Sequence, residues 1–373
     1  MFGSQAFAWN NHKGLTTLIF ESVTNGETPT TRRIKKKVFL NLKSPCPEDD
    51  SKFFSELVPE LQLQKNTLVL PTNAEACARK STVTFKDIIT SFVVDEPDSG
   101  IDDDLDESFD PNNQRKFMGG SKGATSRGFR HMYFAGWKIR RPISTFQIPL
   151  GQTGEAPNRV ELLAKAGKDL LWKSKAHTDW KTAWGVRLLG WSIHYVQDLA
   201  QPFHSDQVPS LKMVPWYSVV KWPPSKGFEK LVKRTTQSLA NYHWAVEEYI
   251  DFRIRDEKRI FPLKDCLLNP EKTATLHFEK LENLEPKEIA LTVAAESSRL
   301  SASFGKATFN FFGSHLRNSE YDLPKKIGQP NYAELALRPD LSEARTEFEK
   351  LNCTALSNAA IATIALINWA LKP

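Results

Sequence analysis

The 373-residue sequence predicts an all-α fold, a multi-helix bundle carrying long loop insertions. Three observations lead there. Apolar residues recur at three- and four-residue spacing through 158–175, 178–201, 229–254 and 287–312, the period of a helix that buries one stripe. The strict apolar–polar alternation of a half-buried strand is scarce, and no segment repeats at a fixed period.

Taken in order, residues 9–24 read as a first helix, and 25–90 as irregular or weakly ordered chain punctuated by Pro and Lys. Its basic run at 31–37 reads as a solvated face rather than a nucleic-acid patch. Residues 91–130 are acidic and then glycine-rich, which rules out one continuous regular element; long loops of this kind inside a compact protein are usually functional or disordered. Helices follow at 158–175 and 178–201. The second stops where Pro202 removes an N–H and clashes with the preceding turn. A Pro- and Trp-rich loop occupies 205–228, and helices return at 229–254, 287–312, 341–351 and 355–371. The last is apolar, but Asn358, Asn368 and its small residues suit a packed bundle helix better than a membrane span.

The formal charge of +6 is mild and dispersed, so nothing global marks a nucleic-acid binder. Cys46, Cys77, Cys266 and Cys353 form no CxxC pair, which argues against a thiolate metal site and permits at most two disulfides. An even count suits an oxidising compartment. The opening residues end in Ala6-Phe7-Ala8, an A-x-A pattern of the kind signal peptidase cleaves, without a charged or extended apolar stretch before it. The organisation expected is a remnant of a signal peptide at 1–8 and a single domain at 9–373, in a secreted or periplasmic protein.

The chemistry concentrates at 194–204. His194 and Asp198 stand four apart, one turn above each other on one helix face, and can grip one ion. His204 lies beyond the turn forced by Pro202 and leaves in another direction, free to serve a second ion nearby. His243 and Glu247 repeat the four-residue spacing; with His204 they make two imidazoles and a carboxylate with an open position, the set expected of a catalytic zinc ion.

The segment His194-Tyr195-x-x-Asp198-x-x-x-Pro202-x-His204 resembles the signature of the zinc-dependent phospholipases C and the related single-strand nucleases. The likeness runs through about 159–201 and the ligand segments, less than half of the chain; 25–90, 205–235 and 313–340 match nothing recognisable. It implies an all-α domain with three Zn2+ ions, two of them close together and bridged by an aspartate and a hydroxide. Asp198 would be the bridge, His194 a ligand of the first ion, and His204, His243 and Glu247 the ligands of the separate ion. Family members begin, after processing, with a tryptophan whose amino group and carbonyl bind zinc beside a histidine of the first helix. Trp9 and His12 stand in those places at a shorter spacing. A further aspartate and histidine are implied by Asp98 and His131, with Asp95 and Asp102 as competitors for the carboxylate.

Such a cluster would leave a positive pocket after Asp98, Asp198 and Glu247 offset part of its charge, and a phosphate is its natural guest. The resemblance implies hydrolysis of the phosphodiester of phosphatidylcholine-like lipids, giving diacylglycerol and a phosphorylated headgroup, by attack of the bridging hydroxide on phosphorus. Asp98 and Asp198 are the catalytic carboxylates expected. The alternatives are a single-strand nuclease or 3′-nucleotidase with the same ions, and a non-catalytic effector that retains the fold. In the 214–224 loop, Trp216, Tyr217, Trp222 and Lys221 could lie among lipid headgroups, stack on bases, or form a flap packed on the protein. The partners expected are a phospholipid substrate and a transient membrane surface, with no stable nucleic-acid complex, for a monomer.

Overall fold

The computed structural model describes residues 11–26, 29–38, 41–43, 82–95, 97, 131–135, 138–140, 145–147, 154–173, 180–206, 208–219, 224–255, 262–318 and 320–372. Its architecture is all-α. The helices are α1 (His12–Asn25), α2 (Pro29–Val38), α3 (Phe85–Ile89), α4 (Ala156–Lys173), α5 (Trp180–Ala200), α6 (Pro202–Ser205), α7 (Pro224–Arg255), α8 (Pro262–Leu268), α9 (Phe278–Leu281), α10 (Pro286–Phe312), α11 (Tyr332–Leu335) and α12 (Ser342–Leu371). Two small antiparallel ribbons accompany them: β1 (Asn41–Lys43) pairs with β2 (Thr82–Thr84), and β3 (Lys138–Arg140) pairs with β4 (Thr145–Gln147).

The bundle is built around α5, in which every residue from 182 to 200 is buried. A helix buried on all sides sits at the centre of a core, and α4, α10 and α12 pack around it. The approach of α4 to α5 is set by two glycines. A Cβ on Gly167 would lie 2.7 Å from the Gly185 carbonyl oxygen, and one on Gly185 would lie 2.7 Å from that of Gly167, so the two backbones touch where neither helix carries a side chain. The helix ends where the sequence requires: Gln201 caps α6, its side chain accepting from the Phe203 N–H, and Pro202 takes the first helical position, where a missing donor costs nothing.

The first helix starts at Asn11, whose side-chain oxygen accepts from Gly14 N–H at 2.7 Å while its amide nitrogen donates to Asp251 of α7 at 2.9 Å. Helix α12 is one continuous element rather than the two that the sequence suggests. Asn352, at the polar break, donates back to the Phe348 carbonyl at 2.8 Å, and Cys353 forms a disulfide with Cys266 of α8, so the interruption is absorbed without a turn. The helix is long and apolar enough to span a bilayer, yet 89% of its most apolar window is buried inside the fold. Its last carbonyls, which no helical N–H can reach, accept from side chains of other elements: Trp369 from Lys168, Ala370 from Trp172 and Leu371 from Lys37.

That last contact corrects the reading of 25–90 as irregular. Pro29 opens α2, Ile34 and Val38 stand four apart and are fully buried, and the basic run lies on this helix, where Lys35 donates to the Thr24 carbonyl at 2.7 Å. Two apolar residues in ten are too short a stripe for periodicity to reveal. The region also supplies β1, β2 and α3; the last carries a capping box between Thr84 and Asp87.

Candidate metal centre

The described site residues converge in two adjoining clusters. In the first, Asp198 of α5 is wholly buried and its carboxylate faces imidazoles on both sides. Its Oδ1 lies 3.1 Å from Nε2 of His12 on α1; its Oδ2 lies 2.5 Å from Nδ1 of His131 and 3.3 Å from Nε2 of His194. The His131 and His194 nitrogens are 3.0 Å apart. Helical geometry places His194 and Asp198 together, one turn apart; α1 and the segment at 131 bring the other rings to them.

Hydrogen bonds to the far side of the His194 and His12 rings fix their tautomers. Nδ1–H of His194 donates to the Val94 carbonyl oxygen at 2.8 Å, which leaves a lone pair on Nε2, pointing into the cluster. Nδ1 of His12 is 2.9 Å from the Gln197 side-chain oxygen. The amide nitrogen of Gln197 donates to the hydroxyls of Thr16, at 3.0 Å, and Thr363, at 3.3 Å. With its donor end so held, Gln197 offers only an acceptor to His12, whose Nε2 lone pair therefore faces Asp198. Burial pushes the Asp198 carboxyl up, but the imidazoles of His194, His131 and His12 gathered around it outweigh burial and hold the group well below its usual range, so it stands ready as an anion.

The second cluster joins α6 to α7. Nδ1–H of His204 donates to the His131 carbonyl oxygen at 2.8 Å, so its Nε2 also carries a lone pair; this atom lies 3.0 Å from Nε2 of His243 and 4.0 Å from Oε1 of Glu247. His243 Nε2 approaches the same oxygen at 2.7 Å. Neither buried oxygen of Glu247 has a hydrogen-bond partner of proper geometry. Three potential electron-pair donors thus converge on one point, an arrangement that a divalent cation would satisfy. In the protein alone the acidities are shifted: burial raises Glu247 to about 8, lowers His243 to about 4 and lowers His204.

The two clusters share a seam. Besides the His204 bond to the His131 carbonyl, Tyr133 N–H donates to the His204 carbonyl at 2.9 Å. Gly154, at φ +107°, lies against this segment; a Cβ there would stand 2.0 Å from the Met132 carbonyl oxygen, so only glycine fits. The opening of the site is at His243, whose side chain is 20% exposed while Glu247 and His204 are closed off. The Phe203 ring stacks on His243 with centroids 5.1 Å apart and fixes its plane.

His12, His194 and Asp198 on one side, and His204, His243 and Glu247 on the other, offer ligand atoms close enough to hold metal ions. The donor chemistry fits: imidazoles, of which those of His12, His194 and His204 are held by a hydrogen bond on the far nitrogen, together with carboxylates, are what a divalent cation of the zinc type requires. Of the other residues singled out in the sequence, Trp9, Asp98 and Asp102 lie outside the described residues. Asp95 accepts from Lys13 N–H at 3.1 Å at the start of α1 and belongs to neither group. Gln197, Thr16, Thr363 and Phe203 were not anticipated. Their roles depend on atoms one layer behind the ligands, and no spacing rule points to them. Comparison with models of protein families, with curated proteins and with solved structures finds no match.

Proposed function

We propose that the protein is a zinc-dependent phosphodiesterase of the phospholipase C type, acting on the glycerol-side phosphodiester of phosphatidylcholine-like lipids. The observation that supports this best is Asp198 offering one oxygen to His12 and the other to His131 and His194, the geometry of a carboxylate shared between two cations. In this reading His12 serves one ion of the pair, His131 and His194 the other, and His204, His243 and Glu247 hold the third, with Trp9 and Asp98 completing the set. Zinc bound there would supply positive charge for a phosphate and a water acidic enough to act at neutral pH.

The chain's own contribution is placement. Buried walls keep the dielectric low, so charges aimed at a phosphate act at full strength. Hydrogen bonds from His12, His194 and His204 to Gln197, Val94 and His131 keep imidazole lone pairs turned inward before any substrate arrives, so no reorientation is required of them. His243, at the opening, is the ligand a substrate meets first. The Cys266–Cys353 disulfide supports the reading of a secreted or periplasmic protein, since such bonds persist in oxidising compartments.

Elemental analysis of the purified protein beside a phosphocholine-release assay tests the proposal. We expect zinc in excess of one ion per chain, and loss of both turnover and part of the metal in Asp198→Asn, because the substitution removes the shared anion. Release of mononucleotides instead of phosphocholine would shift the reading to the nuclease; metal without either activity would favour an effector.

A further inference from the structure

We infer that the turn at 211–217 is a docking surface for membranes containing anionic phospholipid, an assignment that rests on the phospholipid reading above for its biological sense. Among the described residues few large apolar side chains stand in water, and three of them fall within seven positions: Leu211 at 66% exposure, Trp216 at 54% and Tyr217 at 52%. The turn that presents them is anchored to the fold. Met213, Val214 and Pro215 are buried beneath it, and Ser238 of α7 donates to the Met213 carbonyl at 2.7 Å.

The polar handles of both aromatic rings are already committed inside the protein. The Trp216 indole N–H donates to the Leu211 carbonyl at 3.2 Å, and the Tyr217 hydroxyl donates to the Arg317 carbonyl at 3.0 Å. Either ring can therefore leave water without stranding a donor, which is the usual cost of burying Trp or Tyr. Leu211, the most exposed of the three, has no face on which a base could stack but suits the boundary between headgroups and acyl chains. Cations stand around the turn. Arg234 lies over Tyr217, with its guanidinium carbon 5.5 Å from the ring centroid, while Lys212 and Arg317 flank Phe309 at 5.7 and 5.3 Å. Apolar tips among cations complement an anionic lipid surface, where each cation contributes roughly fivefold in affinity.

Flotation of the metal-loaded protein with vesicles of pure phosphatidylcholine, and with vesicles that also contain phosphatidylglycerol, tests the inference. The native chain should bind the mixed vesicles more tightly, with binding that weakens as salt is raised. The double variant Leu211→Ala, Trp216→Ala should lose on the order of tenfold or more in that affinity, and Lys212→Glu at least fivefold. Both should keep native zinc content and native turnover of a soluble short-chain substrate. Equal binding of native and variant proteins to either vesicle would overturn the inference, as would single-stranded DNA binding that the same variants abolish. If vesicle binding behaves as stated but no phosphodiester is cleaved, the docking surface stands and the activity proposed above falls.

Discussion

At the scale of single residues, Gln197 illustrates how far a site extends beyond its ligands. Its amide is clamped by Thr16 and Thr363 so that only an acceptor faces His12. Gln197→Leu removes that acceptor, leaving His12 free to present N–H instead of a lone pair, and should weaken one bound ion by about 10- to 100-fold with the others retained, read by metal titration. Titration of Glu247 supplies a second prediction. In the ion-free fold its carboxyl holds a proton up to about pH 8, against a usual value of 4.5, so the folded state binds more protons than the unfolded chain between those limits and stability falls as pH rises. His243, lowered from 6.5 to about 4, slopes the opposite way, but that slope is spent by pH 6.5. Protein stripped with a chelator should therefore melt at progressively lower temperature from pH 6.5 to 8, whereas the loaded protein, with Glu247 bound as an anion, should not follow it. His194, Asp198 and His204 were legible in the sequence because four-residue spacing and a proline translate directly into positions in space. His12 and His131 reach Asp198 across 186 and 67 positions and could be found only through resemblance.

Among the elements, the core helices were legible and the peripheral ones were not. A long stripe such as that of α5 outweighs any local ambiguity, while α2 announces itself with Ile34 and Val38 alone and α12 conceals its continuity behind Asn352 and Cys353. The packing of α4 on α5 could not be read at all, since a glycine in a helical pattern looks like a weakness until its neighbour is known. It makes Gly167→Ala a sharp test. The added methyl would meet backbone rather than a movable side chain, and should destabilise the protein by about 1–3 kcal/mol in chemical denaturation, above the gain in helix propensity. An unchanged midpoint would mean that the two helices can separate without cost.

For the whole molecule, an all-α class followed from periodicity, while the links that tie distant segments did not. Cys266 and Cys353 are separated by 87 positions with Cα atoms 5.4 Å apart, and composition alone allowed every pairing of the four cysteines. Closing a loop of that length in the unfolded chain is worth about 4–5 kcal/mol in the entropy model, so Cys266→Ser with Cys353→Ser should lower the denaturation midpoint by a corresponding amount without changing how much metal the protein takes up. The donor atoms themselves come from four stretches of chain, at 12, 131, 194–204 and 243–247. A fragment that stops short of Glu247 lacks one member of the His204, His243 and Glu247 cluster. If the chain binds metal as proposed, a growing polypeptide cannot fill that cluster until Glu247 has been made and α7 packed, so that chelator present during refolding should trap an empty, slowly maturing species that the same chelator, added afterwards, produces only at the rate of ion release.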